Sequence, residues 1–198
     1  MVSEAKRERR ARTRNATRAA ILDAARRVAK REGARNLSLR AAAAESGFAP
    51  AALYGYFENK DALLLALAAD DLASISRAVR AAAQTRNGAS ALAEACAAAL
   101  ALLKSTESIA AASAALPYIP GSGESERHFN GRLIAALTAL SQAAGRSTNS
   151  RGEQTDVLLL AAALTGLAVF ARSGRLAALG FSTEETVARL AALFSSAI

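Results

Sequence analysis

Apolar residues recur along most of this chain three and four positions apart, the period of a helix that turns one face inward. Ile21, Leu22, Ala25, Val28 and Ala29 form such a stripe and predict a helix over about residues 15–32, stopped by Gly33. Ser38 then stands as an N-cap before an Ala-rich run, which predicts a helix over about 39–45 ended by Gly47 in the left-handed conformation. Pro50 suits the first turn of a helix over about 50–56, because its missing N–H has no helical partner there anyway. Asn59 caps a longer helix reaching about residue 83, with Asp61 in the first turn where the helix dipole favours an anion.

Further helices are predicted over about 89–104, from there to 116, and over 124–144, 153–175 and 183–196. Ser182-Thr183-Glu184-Glu185 opens the last as a capping box, while residues 117–123 (PYIPGSG) and 144–152 (AGRSTNSRG) read as loops. No segment alternates in the manner of a strand. The expectation is an all-α protein of about nine helices. Residues 1–14 lack any apolar period and predict a basic, flexible arm. Residues 15–75 form one domain in this reading and residues 76–198 a second, helical one.

Two short helices joined as tightly as those within residues 38–57 are what a helix-turn-helix requires, and its second helix is the one that enters the major groove. Charge supports that reading once it is located. Residues 1–60 hold 14 Lys/Arg against 6 Asp/Glu, and the remainder holds 11 against 11, so the whole net charge of +8 lies on the segment with this motif. A surface so polarised attracts a polyanion by displacing its counterions.

Composition narrows the rest. One cysteine, Cys96, excludes an internal disulfide and fits a reducing compartment. The basic start is followed by no apolar signal core, and the apolar run from 157 to 171 is short for a bilayer, so the expectation is a cytoplasmic protein without membrane contact. His128 and Cys96 are the sole residues of their kinds, and nothing near either completes a nucleophile–base pair or a metal site. No catalytic residue, metal or cofactor is expected. Cys96 reads as a small core residue, or as a redox sensor if exposed and activated.

The run Leu53-Tyr54-Gly55-Tyr56-Phe57-Glu58-Asn59-Lys60-Asp61, with Gly47 six residues before it, resembles the signature of TetR-family transcriptional regulators. Ile21-Leu22-Asp23-Ala24-Ala25, Gly33 and Ser38-Leu39-Arg40 match the same family's first helix and its entry into the second. The resemblance covers about residues 15–75 and implies phosphate contacts by Ser38, Tyr54, Tyr56 and Lys60. It also implies a small-molecule cavity among the helices between about 61 and 175, where Ala and Leu favour a largely apolar effector.

Two departures from the family pattern bear on DNA reading. Ala49 stands where members usually have a Ser or Thr cap, and Ala42 where they have a larger aliphatic residue, a gap that Phe48 could fill. On the third helix, Ala51 and Ala52 offer base edges only methyl contacts, suited to thymine C5-methyl groups. Hydrogen-bonding readout then falls to Arg40, either on guanine or as a phosphate clamp, and to Arg10, Arg12 and Arg14 of the arm. The arm has two open readings, minor-groove insertion or a solvated, nonspecific tail.

The last two helices carry more apolar surface than one neighbour covers, including Leu160, Leu164, Leu167, Leu190 and Phe194. They either complete the intramolecular core or pair with a second copy as a four-helix bundle. The family resemblance, in which these helices commonly dimerise, favours the homodimer. The resulting expectation is a homodimeric repressor released from a palindromic operator by a small effector, or else a regulator of the same fold controlled by a partner protein or by no ligand.

Overall fold

The computed structural model describes residues 2–85, 89–115, 123–146 and 149–195, and all regular structure among them is helical. The elements are α1 (Val2–Glu32), a 3-10 turn (Ala34–Asn36), α2 (Leu39–Ser46), α3 (Pro50–Leu53), α4 (Lys60–Gln84) and α5 (Ala89–Ser105). They continue as α6 (Ser108–Ala115), α7 (Glu124–Ala143), α8 (Arg151–Arg172), α9 (Arg175–Ala178) and α10 (Thr183–Ser195). The all-α expectation holds, with one short helix, α9, beyond those predicted. The loop expected over 117–123 lies outside the described residues apart from Gly123.

The described chain forms two compact units: residues 1–68 with 107–128, and residues 69–106 with 129–198. This partition differs from a boundary at residue 75, because α6 packs on the 3-10 turn of the first unit. In that unit α1 packs along α2, and α2 on α3. The core between them holds Ile21, Leu22, Val28, Leu37, Leu53, Phe57, Leu63 and Leu67. Glu45 ties α2 to α1 from outside, accepting hydrogen bonds from Arg27 Nε at 2.7 Å and Arg31 Nη1 at 3.0 Å. The bond from Arg27, then that from Arg31, holds the Glu45 carboxyl below its ordinary value.

In the second unit α5 packs against both α8 and α10. Leu92, Cys96, Leu100, Val157, Leu160, Leu164, Val187 and Ala191 are buried there. Asp71 on α4 accepts the Thr106 hydroxyl at 2.8 Å, and the Thr106 carbonyl accepts Arg172 Nη1 at 3.0 Å. Arg146 reaches from the α7–α8 connection to Asp156 of α8 and, at 3.0 Å, to the Phe194 carbonyl of α10. These contacts fix the ends of α8 and α10.

One sequence expectation is corrected. Residues 2–14 are not a flexible arm but continue α1 as one 31-residue helix. The physical reason lies in propensity: Ala, Arg, Lys and Glu are good helix formers, and no Gly or Pro interrupts the chain before Gly33. The helix α8, at 22 residues and a mean hydropathy of 1.7, is long and apolar enough to cross a bilayer by length and composition alone, a test that core helices also pass. Its inner face nevertheless belongs to the core of the second unit, through Val157, Leu160, Leu164 and Ala168.

Candidate nucleic-acid interface

Short-range chemistry shapes the helix-turn-helix. The Ser38 hydroxyl accepts the Ala41 N–H at 3.1 Å and caps α2. Gly47 ends α2 at φ 73, a left-handed conformation that favours glycine. Pro50 occupies the first turn of α3, and the Ala49 before it caps nothing with its side chain. That helix is shorter than the expected 50–56: regular α structure ends at Leu53, followed by a turn through Tyr56. The turn tightens through Tyr56 N–H to the Leu53 carbonyl at 2.9 Å and Phe57 N–H to the same oxygen at 2.9 Å. Asn59 then caps α4, its side-chain oxygen accepting the Ala62 N–H at 2.8 Å.

Leu53 and Phe57 are the anchors that hold α3 to the core, at 0% and 3% exposure. Ala51, Ala52 and Tyr54 face outward, Tyr54 at 62% exposure. Tyr56 is half-buried against the core cluster. Arg40 is exposed on α2. Lys60 is exposed as well, and its ammonium donates to the Arg35 carbonyl at 2.6 Å. Ala42 is fully buried, and Phe48 is 37% exposed.

Sequence reasoning missed the role of Arg14. Its guanidinium donates from Nη2 to the Gly55 carbonyl at 3.0 Å and lies 5.4 Å from the Tyr56 ring centroid. One helical turn on, Arg18 stands 5.1 Å from the centroid of Phe57. Arg14 therefore caps the carboxyl end of the recognition turn and lies over Tyr56, while Arg18 lies over Phe57, arrangements suited to a planar cation. The signal was present: Arg14 and Arg18 lie four residues apart, on one face of a helix that had been cut short at residue 15. Arg12 pairs instead with Glu8, at 3.8 Å, and Arg10 is exposed.

The residues expected at the dimer interface separate into two sets. Leu160 and Leu164 are each 1% exposed and serve the protein's own core, so they are corrected from interface to core. The sequence could not choose between them and their neighbours because α8 is apolar nearly all round. Leu167, Leu190 and Phe194 are half-buried. A groove of about 480 Å³ between α8 and α10 is lined by Gly166, Leu167, Phe170, Phe181, Leu190 and Leu193 among others. Leu158, Leu159, Val169 and Phe170 on α8, with Phe181 and Leu193 on or beside α10, are 44% to 58% exposed.

Cys96 is fully buried, and burial pushes its thiol up to about 12, the opposite of the exposed, activated thiol that a redox sensor needs. His128 is exposed in the first turns of α7. Among the described residues, no group of three or more His, Cys, Asp or Glu gathers as a metal site would require.

A capped two-helix turn with a small-residue outer face, two tyrosines and a basic flank defines a helix-turn-helix DNA-binding protein. Residues 21–67 match the family described as bacterial regulatory proteins, tetR family. That match marks the amino-terminal helices as a TetR-type DNA-binding domain. Solved structures agree in fold. A TetR transcriptional regulator from Rhodococcus sp. RHA1 aligns at a TM-score of 0.65 and 18% identity, over 96% of this chain and 99% of the other. FadR from Bacillus subtilis, solved with stearoyl-CoA, aligns at 0.62 and 17% identity, over 90% and 98%. The fatty acid degradation regulator FadR from Bacillus halodurans gives 0.61 and 16%, over 90% and 98%. No curated protein matches the sequence.

Proposed function

We propose that the protein is a cytoplasmic, homodimeric repressor that binds a palindromic operator and is released from it by a small, largely apolar effector. The observation that carries the DNA-binding part is the outward face of the motif. Ser38, Arg40, Ala51, Ala52, Tyr54, Tyr56 and Lys60 lie within the capped α2–α3 unit and its exit into α4, where the net charge of the chain is concentrated. Ser38 with the N-terminal turn of α2, Tyr54, Tyr56 and Lys60 anchor phosphates. Arg40 reads guanine, and Ala51 and Ala52 bring methyl groups against thymine.

Dimerisation rests on the apolar outer faces of α8 and α10, with Leu167, Phe170, Leu190 and Leu193 replacing Leu160 and Leu164 as the central contacts. Two such faces brought together form a four-helix bundle, and a twofold dimer matches two half-sites. The effector reading is supported by the apolar second unit, where a groove of about 360 Å³ between α5 and α10 is walled by Ala97, Leu100, Val187 and Ala188, with Lys104 at its edge. The Bacillus subtilis FadR, a protein of similar fold, was solved with stearoyl-CoA, whose acyl chain is apolar although its coenzyme A part is polar and anionic. Effector and operator are then linked through a coupling of about 1–3 kcal/mol. The alternative, control by a partner protein or by no ligand, draws on the same groove, which opens to the surface.

Selection of bound sites from a random duplex pool, at two salt concentrations, tests the reading. An inverted repeat with half-site centres about one to two helical turns apart is the expected product. Enrichment of no motif, with affinity collapsing as salt rises, would remove the specific-regulator reading.

A further inference from the structure

The basic extension of α1 is helical and carries arginines on two opposite faces. Its cations at positions 7, 10, 14 and 18 are spaced three and four residues apart and share one stripe by helical register. At Arg14 and Arg18 that stripe lies on Tyr56 and Phe57, so its direction relative to the helix-turn-helix is fixed by a hydrogen bond and two cation–π contacts. Arg9 and Arg12 fall on the opposite side, where Arg12 pairs with Glu8. From residue 4 to residue 14 the helix extends about 15 Å at 1.5 Å per residue, roughly the length of four base pairs.

From this geometry we propose that Arg7 and Arg10 form a second phosphate-binding element, contacting the duplex backbone outside the half-site, and that Arg14 is the positioning residue that aims it. The proposal rests on the DNA-binding function above and gives the extension a defined role within it. A continuous helix does not offer the extended chain that threads a narrow minor groove, so the contacts are with phosphates and add affinity without reading sequence. Arg14 touches the Gly55 carbonyl and the Tyr56 ring, and its task is orientation rather than DNA contact.

The test compares two double variants of equal charge in the full-length protein, Arg7→Ala/Arg10→Ala and Arg9→Ala/Arg12→Ala. Affinity is measured against salt on a duplex carrying the selected site with long flanks, on the same site trimmed to its half-site ends, and on an unrelated duplex. Removing Arg7 and Arg10 is expected to lower the slope of log affinity against log salt by about two per protomer on the long duplexes, related or not. It should leave the trimmed site nearly unchanged. Removing Arg9 and Arg12 should leave all slopes close to wild type. In an Arg14→Ala background the two doubles should become equivalent, and circular dichroism should show α1 retained. Equal slopes for the two doubles in the wild-type background would overturn the proposal, as would a slope change that persists on the trimmed site. A lasting difference without Arg14 would overturn its positioning role. If no sequence is selected at all, the regulator reading fails, yet the unrelated duplex still reports on the two faces, so the two failures are distinguishable.

Discussion

The amino-terminal helices and the last two long helices treat their apolar residues in opposite ways. In α1 to α3 nearly every large aliphatic or aromatic anchor is inside: Ile21, Leu37 and Leu53 have no exposed surface and Phe57 has 3%. In α8 and α10 comparable residues stand on both sides, with Leu160 at 1% exposure and Leu159 next to it at 55%. Only 22% of the most apolar window of α8 is buried within the chain. The first region satisfies its apolar surface alone and presents a charged outside; the second leaves a broad apolar surface for something else to cover. One turns charge outward, the other apolar surface.

The largest effect that separates the two regions is a truncation. Phe57→Ala removes a core anchor and should cost about 3–5 kcal/mol of stability, whereas Phe170→Ala, half exposed, should cost far less in the isolated chain. Urea denaturation at low protein concentration reads both, and equal losses would erase the contrast. Next, Phe170→Asp with Leu193→Asp should convert a dimer to a monomer in sedimentation experiments while circular dichroism stays helical. A dimer that survives both charges would place its interface elsewhere.

Smaller effects sharpen the account of the helix-turn-helix. Ala49 lies in extended backbone before Pro50 with no side-chain cap, so Ala49→Ser should raise thermal stability by about 1 kcal/mol. An unchanged melting temperature would mean the serine hydroxyl does not reach the α3 amides. The smallest effect is acid sensitivity at Glu45. Its folded-state pKa is depressed, so its contribution is complete above the ordinary carboxylate range and is lost as pH falls through the lower folded value. Glu45→Gln should therefore flatten stability against pH in that acidic window and leave neutral behaviour less affected. A wild-type acid profile in the variant would assign the acid loss to other carboxylates.

How much was legible in the sequence follows from the range of each interaction. Ser38, Asn59 and Ser182 act on amides three residues away, and all three caps form as their positions predict. Gly47 and Pro50 act on their own backbone and were equally plain. The face of α8 was not, because a helix apolar on all sides carries no period to say which leucine turns inward. Composition also misled at the amino terminus. A polar, charged run without apolar spacing reads as disorder, yet its individual residues favour helix and continue an existing one, so no new nucleation is needed. The Arg14 contact spans 41 residues and ends on a backbone carbonyl, which leaves no mark on the identity of its partner. The short α9 (Arg175–Ala178) had too few residues to show any pattern.

The lone cysteine gives the second unit a clock of its own. Cys96 is sealed inside α5 with a thiol that stays protonated at neutral pH, and the chain has no other sulfhydryl to compete with it. A thiol-specific reagent can reach it only when that unit opens, so the labelling rate counts openings there and is silent about fraying of the helix-turn-helix. Slower labelling when duplex is added would reveal, without any engineered probe, that occupancy of one region is felt as rigidity in the other.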